Sequence, residues 1–205
     1  MLYVLAILTM LVGNLFALRQ QNMQRFLAFS SIAQAGFILL GIISGTQYGM
    51  ATVLYFVLVY VFSNLGAFGV VAMVRNASGK INISDYKGFY ETNPRLTLVM
   101  VLALFSLAGI PPVAGFFGKF FLFAAAAEQG HYGLVIFAVL NTIISLYYYL
   151  IVVKAMMIDK NEHPIPHIQG NFLPRVAMGI SVLGIILVGV FSQVFDWVAL
   201  VSWGM

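Results

Sequence analysis

The stretch Ser106-Leu107-Ala108-Gly109-Ile110-Pro111-Pro112 interrupts an apolar run that extends from Arg95 to Gln129. Its prolines remove two backbone donors, and Gly109 tolerates dihedral angles that other residues avoid. As one continuous helix, the 35 residues of the run would reach roughly 52 Å, too long for a hydrocarbon core of about 30 Å. Split into two helices at the prolines, each piece has about 15 residues, which is short for a span. The third possibility is one discontinuous span with an unwound middle near Gly109 to Pro112.

The composition places the rest of the chain in a bilayer as well. Of the 205 residues, 62% are hydrophobic and 8% are charged, whereas soluble domains carry about 25% charged residues. We predict an all-α polytopic membrane bundle of about six transmembrane spans, forming a single transmembrane domain over residues 1–205. The spans are expected at residues 2–18, 26–44, 49–74, 95–129 (broken), 133–157 and 174–194. The absence of cysteine excludes disulfides and cysteine-ligated clusters in this chain.

The basic residues decide between one broken span and two short ones. With six spans, nine of the ten Lys and Arg residues fall on one side, in the loops 19–25, 75–95 and 154–175, while the other side holds only Glu128 and Asp196. Two full spans would move the third basic loop to the opposite face. Since cytoplasmic loops carry the excess of Lys and Arg, we predict one broken span, three cytoplasmic basic loops and both termini outside. The net charge of +4 is then a topology signal, and no nucleic-acid partner is expected.

The connectors and the tail carry weaker signals. Residues 84–88 predict a short capped helix at the membrane surface, with Asp85 near its N-terminus. Trp197 and Trp203, in the tail 195–205, are typical of an interfacial anchor. The three histidines lie in loops, and prolines at or between two of them disfavour a helical metal pair. We therefore expect neither a metal site nor a cofactor in this chain.

Lys119 is the one basic residue outside the loops. It lies ten residues before Gln129, roughly 15 Å along a helix, and so close to the middle of the bilayer. A lysine there costs several kcal/mol unless it is paired, hydrated or neutral. Burial disfavours the charged form of the amine, and the N-terminal dipole of a half-helix starting near Val113 adds to this effect. We predict that Lys119 is a proton carrier. The structural alternatives are a proline kink with only a packing role and a lysine that snorkels to the interface.

Other polar side chains recur inside the predicted spans. Together with Lys119 they are candidates for lining a hydrated path, and the alternative is ordinary hydrogen bonding between membrane helices. The principal candidates are Gln24, Ser30, Gln34, Tyr60, Asn64 and Tyr148. The same spans also hold Ser31, Ser63, Asn141, Ser145, Tyr147 and Tyr149.

Four stretches give the chain a family resemblance. They are residues 19–37 (RQQNMQRFLAFSSIAQAGF), 106–120 (SLAGIPPVAGFFGKF), 63–69 (SNLGAFG) and 146–149 (LYYY). In combination they resemble the subunit N family of proton-pumping NADH-quinone oxidoreductases (complex I), among the antiporter-like subunits. Members of that family are about twice as long, with about fourteen spans, and this chain resembles the last six. We therefore expect a fragment or the product of a split gene.

The resemblance implies roles for particular residues. In the family, the lysine of a Gly-Lys-Phe element on the broken helix belongs to a charged, hydrated axis for proton translocation, and Lys119 matches it. Gln24 stands where the family usually has a further lysine, and Gln34 where a histidine is common. Neither glutamine titrates, although each can hold water in place. Paralogous subunits usually carry two histidines and a lysine on the helix that matches residues 49–74, and residues 55–64 hold no such group.

The resemblance predicts a membrane-arm subunit of a respiratory NADH-quinone oxidoreductase in the cell inner (plasma) membrane. It would translocate protons while electrons pass from NADH to quinone elsewhere in the complex, and it would hold no redox cofactor. The expected partners are other membrane subunits, the lipid bilayer, protons and water. Two alternatives stay open: a cation/proton antiporter subunit, and a non-pumping structural subunit of a related membrane hydrogenase-type complex.

Overall fold

The computed structural model describes residues 1–168, 172–191 and 193–203, and this part of the chain is a helical bundle without a β-strand. The all-α membrane class is therefore confirmed. The helices are α1 (Leu2–Arg19), α2 (Met23–Ile43), α3 (Gln47–Ser78), α4 (Phe89–Thr92), α5 (Pro94–Ala108), α6 (Ala114–Glu128), α7 (Tyr132–Met157), α8 (Phe172–Val190) and α9 (Gln193–Trp203).

Five of these helices, α1, α2, α3, α7 and α8, are long and apolar enough to cross a membrane alone. Helices α5 and α6 have 15 residues each, roughly 22 Å, and they cross the bundle as a pair. At the start of α5, Asn93 Nδ2 donates to Pro166 O in the α7–α8 connector at 3.1 Å. Beyond the end of α6, the His131 ring packs on Tyr3 at the start of α1, at 5.6 Å between ring centroids. The pair therefore runs from one end of the bundle to the other, as the discontinuous span that the proline stretch predicts.

The three basic connectors lie together at one end of the bundle. The first two pair through their backbones, because Met23 N donates to Ile81 O at 2.8 Å and Ile83 N donates to Gln21 O at 2.7 Å. The second meets the end of α7 through Gly88 N, which donates to Ala155 O at 3.2 Å. Nine basic residues thus share one end of the bundle. That this end faces the cytoplasm stays a prediction from the charge distribution.

The second connector contains a short 3-10 turn at Ile83–Tyr86, slightly before the helix predicted at residues 84–88. Its N-cap is Asn82. Asp85 Oδ2 accepts hydrogen bonds from the Asn82 N–H at 2.9 Å and the Ile81 N–H at 3.2 Å. The side chain of Tyr86, the last residue of the turn, is fully buried. Burial, and then the charge of Asp85, raises the pKa of Tyr86, so this phenol stays neutral.

The segment after α8 differs from the predicted boundaries. The span expected to run to residue 194 ends at Val190, and the predicted tail forms α9. Helix α9 folds back on the bundle, because the Phe195 ring lies 4.4 Å from Phe121 and 5.6 Å from Tyr55 between centroids. Trp197 is 67% exposed, as expected of an interfacial anchor. The predicted anchor Trp203 closes α9, and its side chain lies outside the described residues.

Candidate functional site at the helix break

The break forms where the sequence predicts it. Helix α5 ends at Gly109, whose φ of 82° lies in the left-handed region, and glycine adopts this conformation without steric cost. The Gly109 N–H donates to Phe105 O at 3.0 Å and to Ser106 O at 3.1 Å, and the Ile110 N–H also reaches Phe105 O at 3.0 Å. Helix α6 begins after Val113, the residue that follows the two prolines.

The last carbonyls of α5 are satisfied by side chains from other helices. A helix C-terminus leaves carbonyl oxygens without partners in the helix, and inside a membrane these need other donors. Lys119 Nζ, from α6, donates to Ala108 O at 3.2 Å. Gln34 Nε2, from α2, donates to Leu107 O at 2.9 Å. Side chains from α6 and α2 thus hold the C-terminal end of α5 at the break.

Lys119 is buried and forms no salt bridge within the described part of the chain. It is 3% exposed, and its Nζ lies 4.7 Å from the centroid of the Phe37 ring, within the range of a cation–π contact. All six Asp and Glu residues belong to the described part of the chain, and none forms a salt bridge with Lys119. The amine is turned toward the break, and not toward the membrane surface as the snorkelling alternative requires.

A small cavity lies beside the break. Its volume is about 10 Å³, and Gln34, Tyr60, Ser63, Ser106 and Gly115 contribute to its wall, although the surface that faces the cavity is apolar. An internal water requires several polar partners, so this cavity does not suit one. Within the described residues, Gln34 Oε1 is buried without a hydrogen-bond partner, and it is the acceptor that the break leaves unused.

A series of hydrogen bonds and one aromatic contact leads from Gln34 to the other side of the bundle. Gln34 Nε2 also lies 3.3 Å from the Tyr149 hydroxyl, and the Tyr149 ring packs on Tyr148 at 4.7 Å. Tyr148 Oη donates to Asn14 Oδ1 at 2.9 Å, and Asn14 Nδ2 donates to Asn141 Oδ1 at 2.9 Å. Buried polar groups therefore connect the break with the interface between α1 and α7.

The structure places the predicted residues in different surroundings. Lys119, Gln34 and Tyr60 lie around the break. Ser30 is buried, and its Oγ donates a hydrogen bond to Leu27 O, in the same helix, at 2.8 Å. Asn64 donates to Tyr60 O at 3.1 Å. Tyr148 belongs to the α1–α7 network.

Gln24 lies apart from the other candidates. Its Oε1 accepts a hydrogen bond from Arg75 Nη1 at 2.9 Å at the basic end of the bundle, and it precedes Gln34 by ten residues, roughly 15 Å of helix. This residue therefore ties α2 to α3 at the membrane surface and does not line the break.

Asn14 is the residue of the network that is not among the predicted path-lining candidates. Ser63, Asn141 and Tyr149 are among them, and Ser63 Oγ donates to Ser106 Oγ, in the broken stretch, at 2.8 Å. Their signal in the sequence is a polar group inside an apolar span, which does not tell which helices meet. Within the described residues, no group of three or more His, Asp and Glu side chains is placed to hold a metal ion.

Substitutions at two adjacent tyrosines test whether the Tyr148 hydroxyl stabilises the fold. Replacing Tyr148 by Phe leaves Asn14 Oδ1 without this donor, and we expect the free energy of unfolding to fall by about 1 kcal/mol. Thermal unfolding of the solubilised protein measures the change. Tyr147→Phe is the matched control, because Tyr147 is 61% exposed and should leave stability unchanged. Equal effects of the two changes would contradict the network.

In the described part of the chain, five helices long enough to span a membrane, a discontinuous α5–α6 pair and a buried lysine bonded at its break are typical of an antiporter-like membrane subunit. Residues 1–145 match the family described as "NADH:quinone oxidoreductase/Mrp antiporter, TM". The chain belongs to this family.

Relatives and solved structures agree with this assignment. The chain is 52% identical to NADH-quinone oxidoreductase subunit N of Azobacteroides pseudotrichonymphae over 203 residues, covering 98% of this chain and 42% of the relative. It is 34% identical to a chain of respiratory complex I from Thermus thermophilus, with a TM-score of 0.82 over 95% of this chain and 44% of that one. A chain of the Mrp complex from a Dietzia species, 21% identical, shares the fold with a TM-score of 0.88, over 98% of this chain and 46% of that one. The chain thus spans less than half the length of these relatives.

Proposed function

We propose that this chain is a proton-translocating membrane-arm subunit of a respiratory NADH-quinone oxidoreductase in the cell inner membrane. Lys119 is the proton carrier in this proposal, and electron transfer from NADH to quinone elsewhere in the complex drives its cycle. The observation that carries the proposal is the Lys119 amine, which is buried, forms no salt bridge among the described residues, and donates to the end of a broken helix. Membership of the family supports the same conclusion.

The geometry suits a group that gains and loses a proton. Both the ammonium and the neutral amine can donate a hydrogen bond, so the contact with Ala108 O can persist in either state. The neutral amine takes a proton from a neighbouring water and becomes an ammonium, which later returns the proton to water on the exit side. Gln34 Oε1, buried without a hydrogen-bond partner among the described residues, is an acceptor at the break for such a water. The hydrogen bond to Ala108 O and the contact with the Phe37 ring hold the lysine in position meanwhile.

The second candidate is a cation/proton antiporter subunit. The shared fold with a chain of an Mrp complex favours it. Against it stands α3, whose residues 55–64 hold no lysine, histidine or carboxylate. A non-pumping structural subunit is a third candidate, in which Lys119 serves only to cap α5. The proposal favours the oxidoreductase because the most similar relatives given above by identity are subunits of that complex.

Transport in inverted membrane vesicles separates these candidates. We expect NADH to acidify the vesicle interior in sodium-free buffer, and a fluorescent pH dye reports this. A sodium pulse without NADH should leave the pH unchanged. Vesicles from a strain that lacks the gene are the control for other pumps. Two results together would overturn the proposal in favour of an antiporter. One is proton release that is driven by sodium and depends on the gene, and the other is NADH-driven acidification that is unaltered when the gene is absent.

A further inference from the structure

A large groove opens between α3, α5 and α8 at the basic end of the bundle. Its volume is about 790 Å³, within the range of roughly 300–1,000 Å³ that ligand sites occupy. The wall is mostly apolar, and it descends from the membrane surface toward the interior, since Leu183 follows Arg175 by eight residues, roughly 12 Å of helix. The main apolar contributions come from Met73, Leu96, Val99, Met178, Val182 and Leu183.

The mouth of the groove is positively charged. Arg95 and Arg175 both line it, and both are exposed. Each lies near the N-terminus of its helix, α5 or α8, where the helix dipole also favours an anion. None of the six side-chain carboxylates, all of them in the described part of the chain, forms a salt bridge with either arginine. The two arginines thus lie at the mouth of an apolar groove, and neither forms a salt bridge with an acidic side chain of the described residues.

Gly179 keeps part of the groove open. A Cβ atom built at this position would meet nothing within 4 Å, although the residue lies in the middle of α8 and lines the wall. Glycine inside a helix costs roughly 1 kcal/mol relative to alanine. A larger apolar residue there would fill the groove without colliding with the protein, which supplies a direct test.

We propose that this groove binds one anionic glycerophospholipid of the bilayer. The phosphate lies between Arg95 and Arg175, and an acyl chain follows the apolar wall past Gly179 toward Leu183. Charge complementarity selects the headgroup, since basic pockets between membrane helices suit acidic headgroups, and the depth of the wall suits a chain that runs along the bilayer normal. The inference is independent of the proton-transport proposal.

Lipid titration of the intact complex containing the full chain tests the site. The complex is delipidated in detergent, and phosphatidylglycerol binding is measured by native mass spectrometry, with phosphatidylcholine as the zwitterionic comparison. We expect a preference for phosphatidylglycerol that weakens about 30-fold when Arg95→Gln and Arg175→Gln are combined, because each basic residue near the surface contributes about fivefold. Lys87→Gln, which removes an exposed charge at the same end, should leave this binding unchanged.

Blocking the groove gives a second test that does not depend on charge. Gly179→Leu should abolish the bound phosphatidylglycerol, whereas Gly133→Leu, at another position with no atom within 4 Å of an added Cβ, should not. Equal binding of the two lipids by the wild type, or retention of phosphatidylglycerol in both the Arg and Gly179 variants, would overturn the proposal. A photoreactive residue at Val182 should label lipid. Labelling of another polypeptide instead would show that a protein fills the groove.

Discussion

Proton translocation driven by NADH should fall at least tenfold when Lys119 is replaced by Ala. Among the described residues, the buried Lys119 amine is the basic side chain that contacts the break. A positioned proton-transfer group contributes roughly 100- to 10,000-fold to the rate of a step that depends on it. Lys119→Arg should be impaired as well, because a guanidinium hardly ever deprotonates. The measurement is dye quenching in inverted vesicles, normalised to the amount of assembled complex.

Two comparisons make the Lys119 result specific. Lys87→Ala removes an exposed lysine at the basic end and should retain wild-type translocation. Lys119→Met keeps most of the apolar stem but removes the amine, so it distinguishes the loss of a proton carrier from the loss of packing. Wild-type translocation by an assembled Lys119→Met complex would refute the carrier role, and it would leave the lysine as a cap of α5.

Gly115→Ala should prevent most of the chain from reaching its folded state. A Cβ atom at position 115 would lie 1.7 Å from Ser106 O and 2.6 Å from Ser106 C, both backbone atoms that no side-chain rotation can move away. Overpacking in a core typically costs about 1–3 kcal/mol and occasionally more, and we expect about 3 kcal/mol or more here. The end of α5 would have to shift, which strains the contacts of Lys119 and Gln34 with its carbonyls.

The amount of chain in the membrane and the thermal midpoint of the solubilised protein measure the effect of Gly115→Ala. Gly133→Ala is the matched control in α7, because an added Cβ there meets nothing within 4 Å. Alanine also has the higher helix propensity, so this control should be neutral or slightly stabilising. A Gly115→Ala protein as stable as the control would mean that α5 and α6 are farther apart than the structure shows.

The break and its lysine could be predicted because their causes are local. Glycine and proline determine backbone conformation at their own positions, and the number of residues between Arg95 and Gln129 limits how the segment can cross a bilayer. The position of Lys119 in that segment follows from counting along a helix. The one-sided distribution of basic residues among the loops then determined the number of crossings.

The partners of the site could not be predicted in the same way. Gln34 and Gln24 lie on one helix and look alike in the sequence, yet Gln34 reaches Leu107 O and Gln24 reaches Arg75. This difference depends on how α2 is rotated against α3 and α5. Asn14 lies in a nearly uniform apolar span, where no periodic pattern shows which face meets α7. Contacts between residues far apart in the chain decide these roles, and one sequence carries little information about them.

The two short halves of the broken span have a consequence for membrane insertion. Neither α5 nor α6 is long enough to span a hydrocarbon core of about 30 Å alone, and α6 carries a lysine, which costs roughly 2.5–3.5 kcal/mol at the centre of an inserting helix. The translocon should therefore hold both halves until α2 can supply Gln34 and Phe37 to the break. Membrane insertion of α5 and α6 would therefore depend on helices that are synthesised earlier, and on α2 in particular.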